Sequence, residues 1–597
     1  MTPFRRLLGY FARYKKSLTL GALSVIGSVS FSLAKPMIVG NAVNEIAGAV
    51  SRGALLRYGL LLVGASAMEG LFLYLQRWIL IGASRHIEYD MRNDFHAHLQ
   101  KLPLRFYYDQ RTGDLMSRAT NDLASVRMLI GPAVMHSLTS LLAVTGAFVM
   151  MFRIDVGLAL LATLAVPLIA GIVQFFGQRI HGRFKRVQDH FGEISARVQE
   201  NLAGVRVVRA FAQEANEAAT FRDANRKYVG LNRSLIRMIA TFQPLLHAVI
   251  GVGFVLVFFI GSRKMIAGTM LVGSFVAFQF YLLRMVWPLI ALGWVINLVQ
   301  RGMASMRRLN EVWSVEPEEG RGAKDVDTPR GDLEIRDLTF AYPRPLASAI
   351  GEAALSRRGG DGPMPQVLRH VSLTVRNGET VGIVGRTGSG KSTLLALITR
   401  AFEPPPGTIF LDGRPIESIP LDQLRDWIGM VPQETFLFSE SIAENIRFGK
   451  AEATGDEVED AAAMAGLSTD VASFPNGLET LIGERGITLS GGQKQRTAIA
   501  RALVREPVLL LLDDSLSAVD TATEERILDS LRSVRKGRTV LIVSHRVSSV
   551  KDADHIVVLD EGRIIERGSH ESLIASGGYY AELYHRQTIE AEIEETA

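Results

Sequence analysis

The sequence has 597 residues, no cysteine, and a net charge of only +5 from 66 basic and 61 acidic side chains. This length does not fit one compact core, the lack of cysteine excludes disulfides, thiolate metal sites and a cysteine nucleophile, and so slight a basic excess leaves no electrostatic footprint for nucleic acid. Hydrophobic residues make up 48% but mean hydropathy is just +0.17, so the apolar content is concentrated, and it lies in the first half of the chain.

Residues 1–16 set Arg5, Arg6, Arg13, Lys15 and Lys16 among Phe4, Leu7, Leu8, Tyr10 and Phe11. The apolar run that follows continues to Val43, too long for a signal-peptide core, so the segment reads as an interfacial stretch leading into an uncleaved span. A span needs about 20 apolar residues. Gly131–Phe152, Val156–Gln178 and Ile239–Ser262 meet this without a charge. Ser17–Val43 carries Lys35, Tyr58–Ile81 carries Glu69 and Arg77, and Met265–Val299 carries Arg284. Six membrane helices are expected within residues 17–315.

Basic residues concentrate after the second helix (Arg85, Arg92, Lys101, Arg105, Arg111, Arg118, Arg127) and after the fourth (Arg179, Arg183, Lys185, Arg186, Arg197, Arg206, Arg209). The positive-inside rule then puts these stretches and both termini on the cytoplasmic side of the cell membrane, as long helical hairpins. Charges within a span are costly. Lys35, Glu69, Arg77 and Arg284 are candidates to line a cavity, against the alternative that Arg77 snorkels and the rest pair within the bundle. Pro36, Pro167, Pro244 and Pro288 are compatible with membrane helices.

An acidic linker is read at 316–331, a soluble α/β domain at 332–575 and a tail at 576–597. Leu333–Phe340 alternates like an edge strand, and Ala347–Pro365 reads as a surface insertion. The apolar strand Thr380–Val384 runs into Gly385, Arg386, Thr387, Gly388, Ser389, Gly390, Lys391 and Ser392, with Thr393 in the helix-like run that follows. This strand–loop–helix pattern is a phosphate-binding loop. Its backbone N–H groups close round phosphate oxygens, Lys391 adds a point charge, and Ser392 offers a hydroxyl to Mg²⁺. The apolar strand Val508–Leu512 ends in Asp513, placed to hold Mg²⁺ through water, and Asp514 follows.

Leu489, Ser490, Gly491, Gly492 and Gln493 match the signature of ABC transporters. Other cassette elements occur in order: Tyr342 in Phe340-Ala-Tyr-Pro, Gln433 in Val431-Pro-Gln, Gly483–Gly486, Ser517–Asp520, and His545 in Val543-Ser-His. Arg111–Arg118 and Glu200–Gly204 look like loop sequences of six-helix exporters. Nearly the whole chain thus resembles an ABC exporter half-transporter. The implied fold is an all-α six-helix membrane domain followed by an α/β P-loop cassette with a helical subdomain.

The resemblance further implies ATP and Mg²⁺ as cofactors and a dimer with a second half-transporter subunit. Each ATP would lie between one cassette's phosphate loop and the other's signature, with Tyr342 stacked on adenine, Ser490–Gln493 facing the γ-phosphate of the partner's nucleotide, Ser392, Gln433 and Asp513 serving the metal, and Asp514, Gln433 and His545 serving catalysis.

One position departs from the family. Where its active sites carry a glutamate that polarises the attacking water, this chain has Asp514, shorter by one methylene or about 1.5 Å. A misplacement near 1 Å can cost on the order of 10²-fold in rate. The pattern resembles the slow-site subunit of heterodimeric exporters, in which an intact signature completes the partner's competent site; a homodimer with a slow base is the alternative. Apolar spans with a few embedded charges suit export of amphipathic compounds, drug-like molecules or lipids. Export of a dedicated peptide or metabolite and a nucleotide-gated channel or regulator are the competing readings. No cysteine-bearing peptidase segment precedes the helices, which weighs against peptide processing.

Overall fold

A computed structural model describes residues 2–48, 51–318, 326–343, 364–483, 489–516, 523–524, 527–529 and 538–596. The expected insertion (apart from its last two residues), the segments Glu484–Gly486 and Ser517–Asp520, and the middle of the linker lie outside these. The chain divides into two compact units, one of residues 1–95 and 117–312, the other of 96–116 and 313–597.

The first unit is helical. Helix α1, Pro3–Arg13, starts at Thr2, whose hydroxyl accepts from the Arg5 N–H, with Pro3 in the first turn where its missing N–H costs nothing. Its apolar face buries Leu7 and Tyr10. The Tyr10 hydroxyl donates to Asp94 at 2.7 Å and Tyr14 donates to Asp90 at 3.0 Å. Those two acids stand four residues apart, on one face of the third helix. Long helices follow: α2 (Lys15–Gly48) and α3 (Arg52–Leu99), then, beyond the short α4 (Leu104–Asp109), α5 (Thr112–Ile154), α6 (Val156–Ala203), α7 (Glu214–Ile266) and α8 (Val272–Trp313).

Five of these, α2, α3, α5, α7 and α8, are long and apolar enough to cross a membrane by length and composition. The remaining expected span falls on α6, where side chains 164–170 and 173 are not described. Helix α5 contains two π-helical turns, the second holding Pro132, which relieves the clash a proline makes in a regular helix. Asp155 caps α6 by accepting from the Leu158 N–H at 2.8 Å and also takes a hydrogen bond from Lys264 at 2.6 Å.

Three of the arginines read as loop charge share one acid. Arg85, Arg92 and Arg127 surround the buried Glu88 at 3.1–3.2 Å. Of the charges within spans, Lys35 and Arg284 both pair with Glu69. Arg77 lines a cavity of about 1040 Å³ beside Tyr14, Tyr74, Trp78, Arg85 and His86.

The second unit has two sheets. The smaller is ordered β2-β1-β4-β5, with β1 Leu333–Phe340, β2 Leu368–Val375, β4 Ile409–Leu411 and β5 Arg414–Pro415. Contrary to the sequence reading, β1 is no edge strand: it pairs antiparallel with both β2 and β4. Alternation reports that one face is buried and the other wet, which an interior antiparallel strand satisfies equally well.

The larger sheet runs β10-β9-β3-β8-β7-β6: β3 Thr380–Val384, β6 Ile428–Val431, β7 Leu509–Asp513, β8 Thr539–Val543, β9 His555–Asp560 and β10 Arg563–Gly568. The pairs from β9 through β6 are parallel, and β3, β7 and β8 are buried along their whole length, as their unbroken apolar runs require. Helix α9 (Lys391–Ile398) follows β3. Helices α10 (Gly455–Met464, opened by a Thr454/Glu457 capping box) and α11 (Gly491–Leu503) add a helical part.

The stretch read as a tail forms α12, Tyr579–Thr596. Glu566 caps it by accepting from the N–H groups of Tyr579 and Tyr580, and Tyr580 is fully buried.

Candidate nucleotide site

Strand order builds the site. Because β3, β8, β7 and β6 are neighbours and parallel, their carboxyl ends lie along one edge of the sheet, the edge where open α/β sheets bind ligands. The phosphate loop leaves β3, Asp513 ends β7, His545 follows β8 and Gln433 follows β6.

The loop needs glycine at defined places. Gly385 has φ +157, and a Cβ there would stand 2.0 Å from the Leu559 carbonyl; Gly390 has φ +104 and leaves 2.7 Å to Leu368. Backbone closure round a ligand is therefore possible only without side chains at both points. Lys391 opens α9, is almost fully buried, and donates to the carbonyls of Gly385 and Arg386 at 2.8 Å each. Burial pushes its ammonium pKa down, while the Asp513 and Asp514 carboxylates pull it up. Arg386 and Thr387 are exposed on the loop, the Arg386 guanidinium standing 5.5 Å over the Tyr579 ring. Gly388 has φ +82, and the buried Ser389 accepts at its carbonyl from the Gly562 N–H.

The Ser392 hydroxyl hydrogen-bonds the Asp513 carboxylate. Burial raises the Asp513 pKa; that hydrogen bond and the Lys391 and His545 charges oppose the rise. Ser392 and Asp513 thus present two hard oxygen donors at one point, the chemistry a hard divalent cation takes. No group of three or more His, Cys, Asp or Glu that could hold a metal occurs among the described residues. Asp514 is buried, adopts φ +46, and its carboxylate accepts from the His545 N–H at 3.5 Å. Gln433 is not brought in: its side chain is exposed and hydrogen-bonds no described residue.

Tyr342 packs edge-on against Phe402 at 5.0 Å and Phe340 at 5.3 Å, and its hydroxyl hydrogen-bonds Thr393 at 2.9 Å. Phe402 also meets Tyr108 of α4, which belongs to the same unit, at 5.5 Å, so an aromatic row runs from α4 to Tyr342. Ser490 caps α11 through a capping box with Gln493. Gln493 and Arg496 both donate to Asp470, at 2.9 and 2.6 Å. Gly491 is exposed at the helix start, and no described hydrogen bond joins this turn to the phosphate loop.

Sequence reading passed over three residues here. The Gln587 amide of α12 donates to the His545 carbonyl at 2.7 Å and accepts from the Val547 N–H at 2.8 Å, clamping the segment after β8 from both sides. Phe402 and Asp470 are the others. None sits in a motif, and each acts through a fold contact that no local pattern signals.

A helical membrane unit joined to a phosphate-loop α/β unit defines a membrane-bound nucleotide-binding protein. Residues 18–289 match the ABC transporter transmembrane region and residues 368–517 the ABC transporter domain. The chain is 37% identical to a probable multidrug resistance ABC transporter ATP-binding/permease protein of Bacillus subtilis, YheI, over 98% of this chain and 97% of that one. It is 35% identical to the multidrug resistance-like ATP-binding protein MdlA of Escherichia coli, over 100% and 98%, and 34% identical to an ATP-dependent lipid A-core flippase of Syntrophus aciditrophicus, over 87% and 84%. A bacterial Atm1-family ABC exporter with ATP bound superposes at TM-score 0.76 with 28% identity, over 96% of this chain and 99% of that one. The chain belongs to the ABC transporters and is a half-transporter of the exporter type, a multi-pass membrane protein that couples ATP hydrolysis to transport.

The Gln587 clamp has a measurable consequence. Gln587→Ala should slow phosphate release at this chain's own ATP site, read under single-turnover conditions, on the order of tenfold by loosening His545, while ATP affinity stays within about twofold because no phosphate contact is touched. Equal loss of both would place Gln587 in general folding instead.

Proposed function

We propose that this chain exports amphipathic compounds, drug-like molecules or lipids, as one subunit of a heterodimer, with its cassette and both termini in the cytoplasm. In this reading its own ATP site is slow and its signature completes the partner's competent site. The observation that carries this is Asp514. The residue is confined at the end of β7 by burial and by a left-handed backbone, with its carboxylate turned to the His545 N–H. A side chain about 1.5 Å shorter than glutamate and held in this way is a poor base, although Lys391, Ser392, Asp513 and His545 are all in place around it.

Lys391 and the loop amides bind the phosphates, and Tyr342 offers a ring to adenine. Ser392 and Asp513 would hold Mg²⁺, with Gln433 reaching it once nucleotide is bound; the ion supplies charge neutralisation on the β- and γ-oxygens. Ser490 and Gly491 open a 13-residue helix, whose first backbone N–H groups suit a γ-phosphate presented by a partner. Amphipathic cargo is supported by relatives named for multidrug resistance and for lipid A-core flipping.

The test is affinity purification of the chain from its native membrane, followed by ATP-driven accumulation of a fluorescent amphiphile in inside-out vesicles. A stoichiometric second half-transporter with a glutamate after its counterpart of Asp513 is expected. Recovery of a self-dimer with full turnover would sink the heterodimer, and no ATP-dependent accumulation of any amphiphile would sink the cargo class.

A further inference from the structure

Three charges from three membrane helices meet at one carboxylate. Glu69 of α3 accepts at Oε1 from Arg284 of α8 and from the Ser32 hydroxyl of α2, both at 2.8 Å. Its Oε2 is paired with the ammonium of Lys35, on α2. One acid thus serves two cations, and the cluster keeps a net charge of +1 where unpaired charge is expensive.

Pairing alone does not account for the second cation, since one would neutralise Glu69. Among the described residues Arg284 makes one hydrogen bond and Lys35 one ion pair. A guanidinium has five donors and an ammonium three, so most of their capacity is unused. Both remain reachable, at 34% and 26% side-chain exposure. On α8 the neighbours on Arg284's face, four residues before and three after, are Phe280 and Trp287, both exposed apolar rings. The face reads apolar, cationic, apolar.

We infer that this cluster recognises the anionic head group, carboxylate or phosphate, of the exported amphiphile, with the chain of the amphiphile lying along Phe280 and Trp287. A charge-assisted hydrogen bond from Arg284 or Lys35 to such a head group neutralises the surplus charge. This rests on the export reading above and narrows its cargo. Glu69 then acts as a restraint: it holds both cations in place and weakens the site by its own charge.

The experiment is equilibrium binding to the full-length protein as purified, in phosphatidylcholine nanodiscs without nucleotide, read by tryptophan fluorescence. The probes are dodecyl phosphate, dodecanoate, dodecyltrimethylammonium and inorganic phosphate. The anionic amphiphiles should bind about tenfold or more tighter than the cation, and Lys35→Gln or Arg284→Gln should each weaken them about tenfold. Arg284→Lys should retain most of the affinity. Glu69→Gln should tighten anion binding, an outcome a purely structural ion pair would not produce; should that variant unfold, Lys35→Arg against Lys35→Met makes the same comparison of charge with size.

Loss of probe binding in phosphatidylglycerol nanodiscs would identify a bilayer lipid as the source of the head group. Inorganic phosphate binding as tightly as dodecyl phosphate would overturn the amphiphile assignment. So would equal affinity for both head-group signs, or weaker anion binding in a folded Glu69→Gln protein. Because binding is read without ATP, absent transport with intact head-group preference defeats only the export reading, and intact transport without preference defeats only this one.

Discussion

Lys391→Ala should abolish productive ATP binding, with affinity falling by roughly two orders of magnitude or more. The ammonium is fixed before any nucleotide arrives. It lies almost fully buried between the carbonyls of Gly385 and Arg386 at 2.8 Å, with the Asp513 and Asp514 carboxylates close enough to raise its pKa against the effect of burial. Phosphate oxygens entering the loop would meet a charge already desolvated and in position, which is why a single point charge can carry so much of the binding. Alanine removes that charge and leaves two acids facing a triphosphate. The measurement is titration of the full-length protein with a fluorescent ATP analogue, with thermal melting as the control for folding. Unchanged affinity in a folded variant would refute the phosphate-loop assignment.

Much of this site is legible in the sequence because its parts are local. A short apolar run bounded by turn or polar residues, such as Val381–Val384 or Val508–Leu512, reads as a strand buried on both faces. The glycines at 385 and 390 announce backbone approach, and acids at a strand end announce a metal or base. What brings Lys391, Ser392, Asp513, Asp514 and His545 together is the order β3-β8-β7, and that follows from the family resemblance more than from any pattern in the strands themselves. Features depending on distant pairing were not legible. The alternation of Leu333–Phe340 is the same for an edge strand and for the doubly paired strand found here. Gln587 lies 42 residues from His545 in sequence, in a stretch with the polarity of a tail. Nor does the sequence reveal that Tyr108 would reach Phe402, or that Glu69 would be shared by Lys35 and Arg284, because each contact depends on helix rotation that composition leaves open.

Asp514→Asn should change steady-state turnover of the native assembly by less than about twofold, whereas Gly492→Asp should reduce it by on the order of 10²-fold or more. The two substitutions separate the two ATP sites of a heterodimer. Asparagine keeps the size of Asp514 and its ability to accept from the His545 N–H, so the site should still hold nucleotide; what it removes is a base that reaches too short to contribute much. Gly492 stands in the first turn of the helix capped by Ser490. An acid there sets negative charge against a γ-phosphate and crowds its approach, so the damage falls on the site that this signature completes. Ser490→Ala should follow the same direction less severely, since it removes the hydroxyl and its capping bond to the Gln493 N–H at 3.2 Å but adds no charge. Phosphate release from the purified native complex, measured for each variant, decides the matter. A homodimer requires the reverse for Asp514→Asn, because both sites would lose their only base and turnover would collapse. Persistence of turnover with Asp514→Asn, together with its loss on Gly492→Asp, would assign Asp514's site a holding role: it keeps ATP bound and the two cassettes in contact while the partner's glutamate does the hydrolysis.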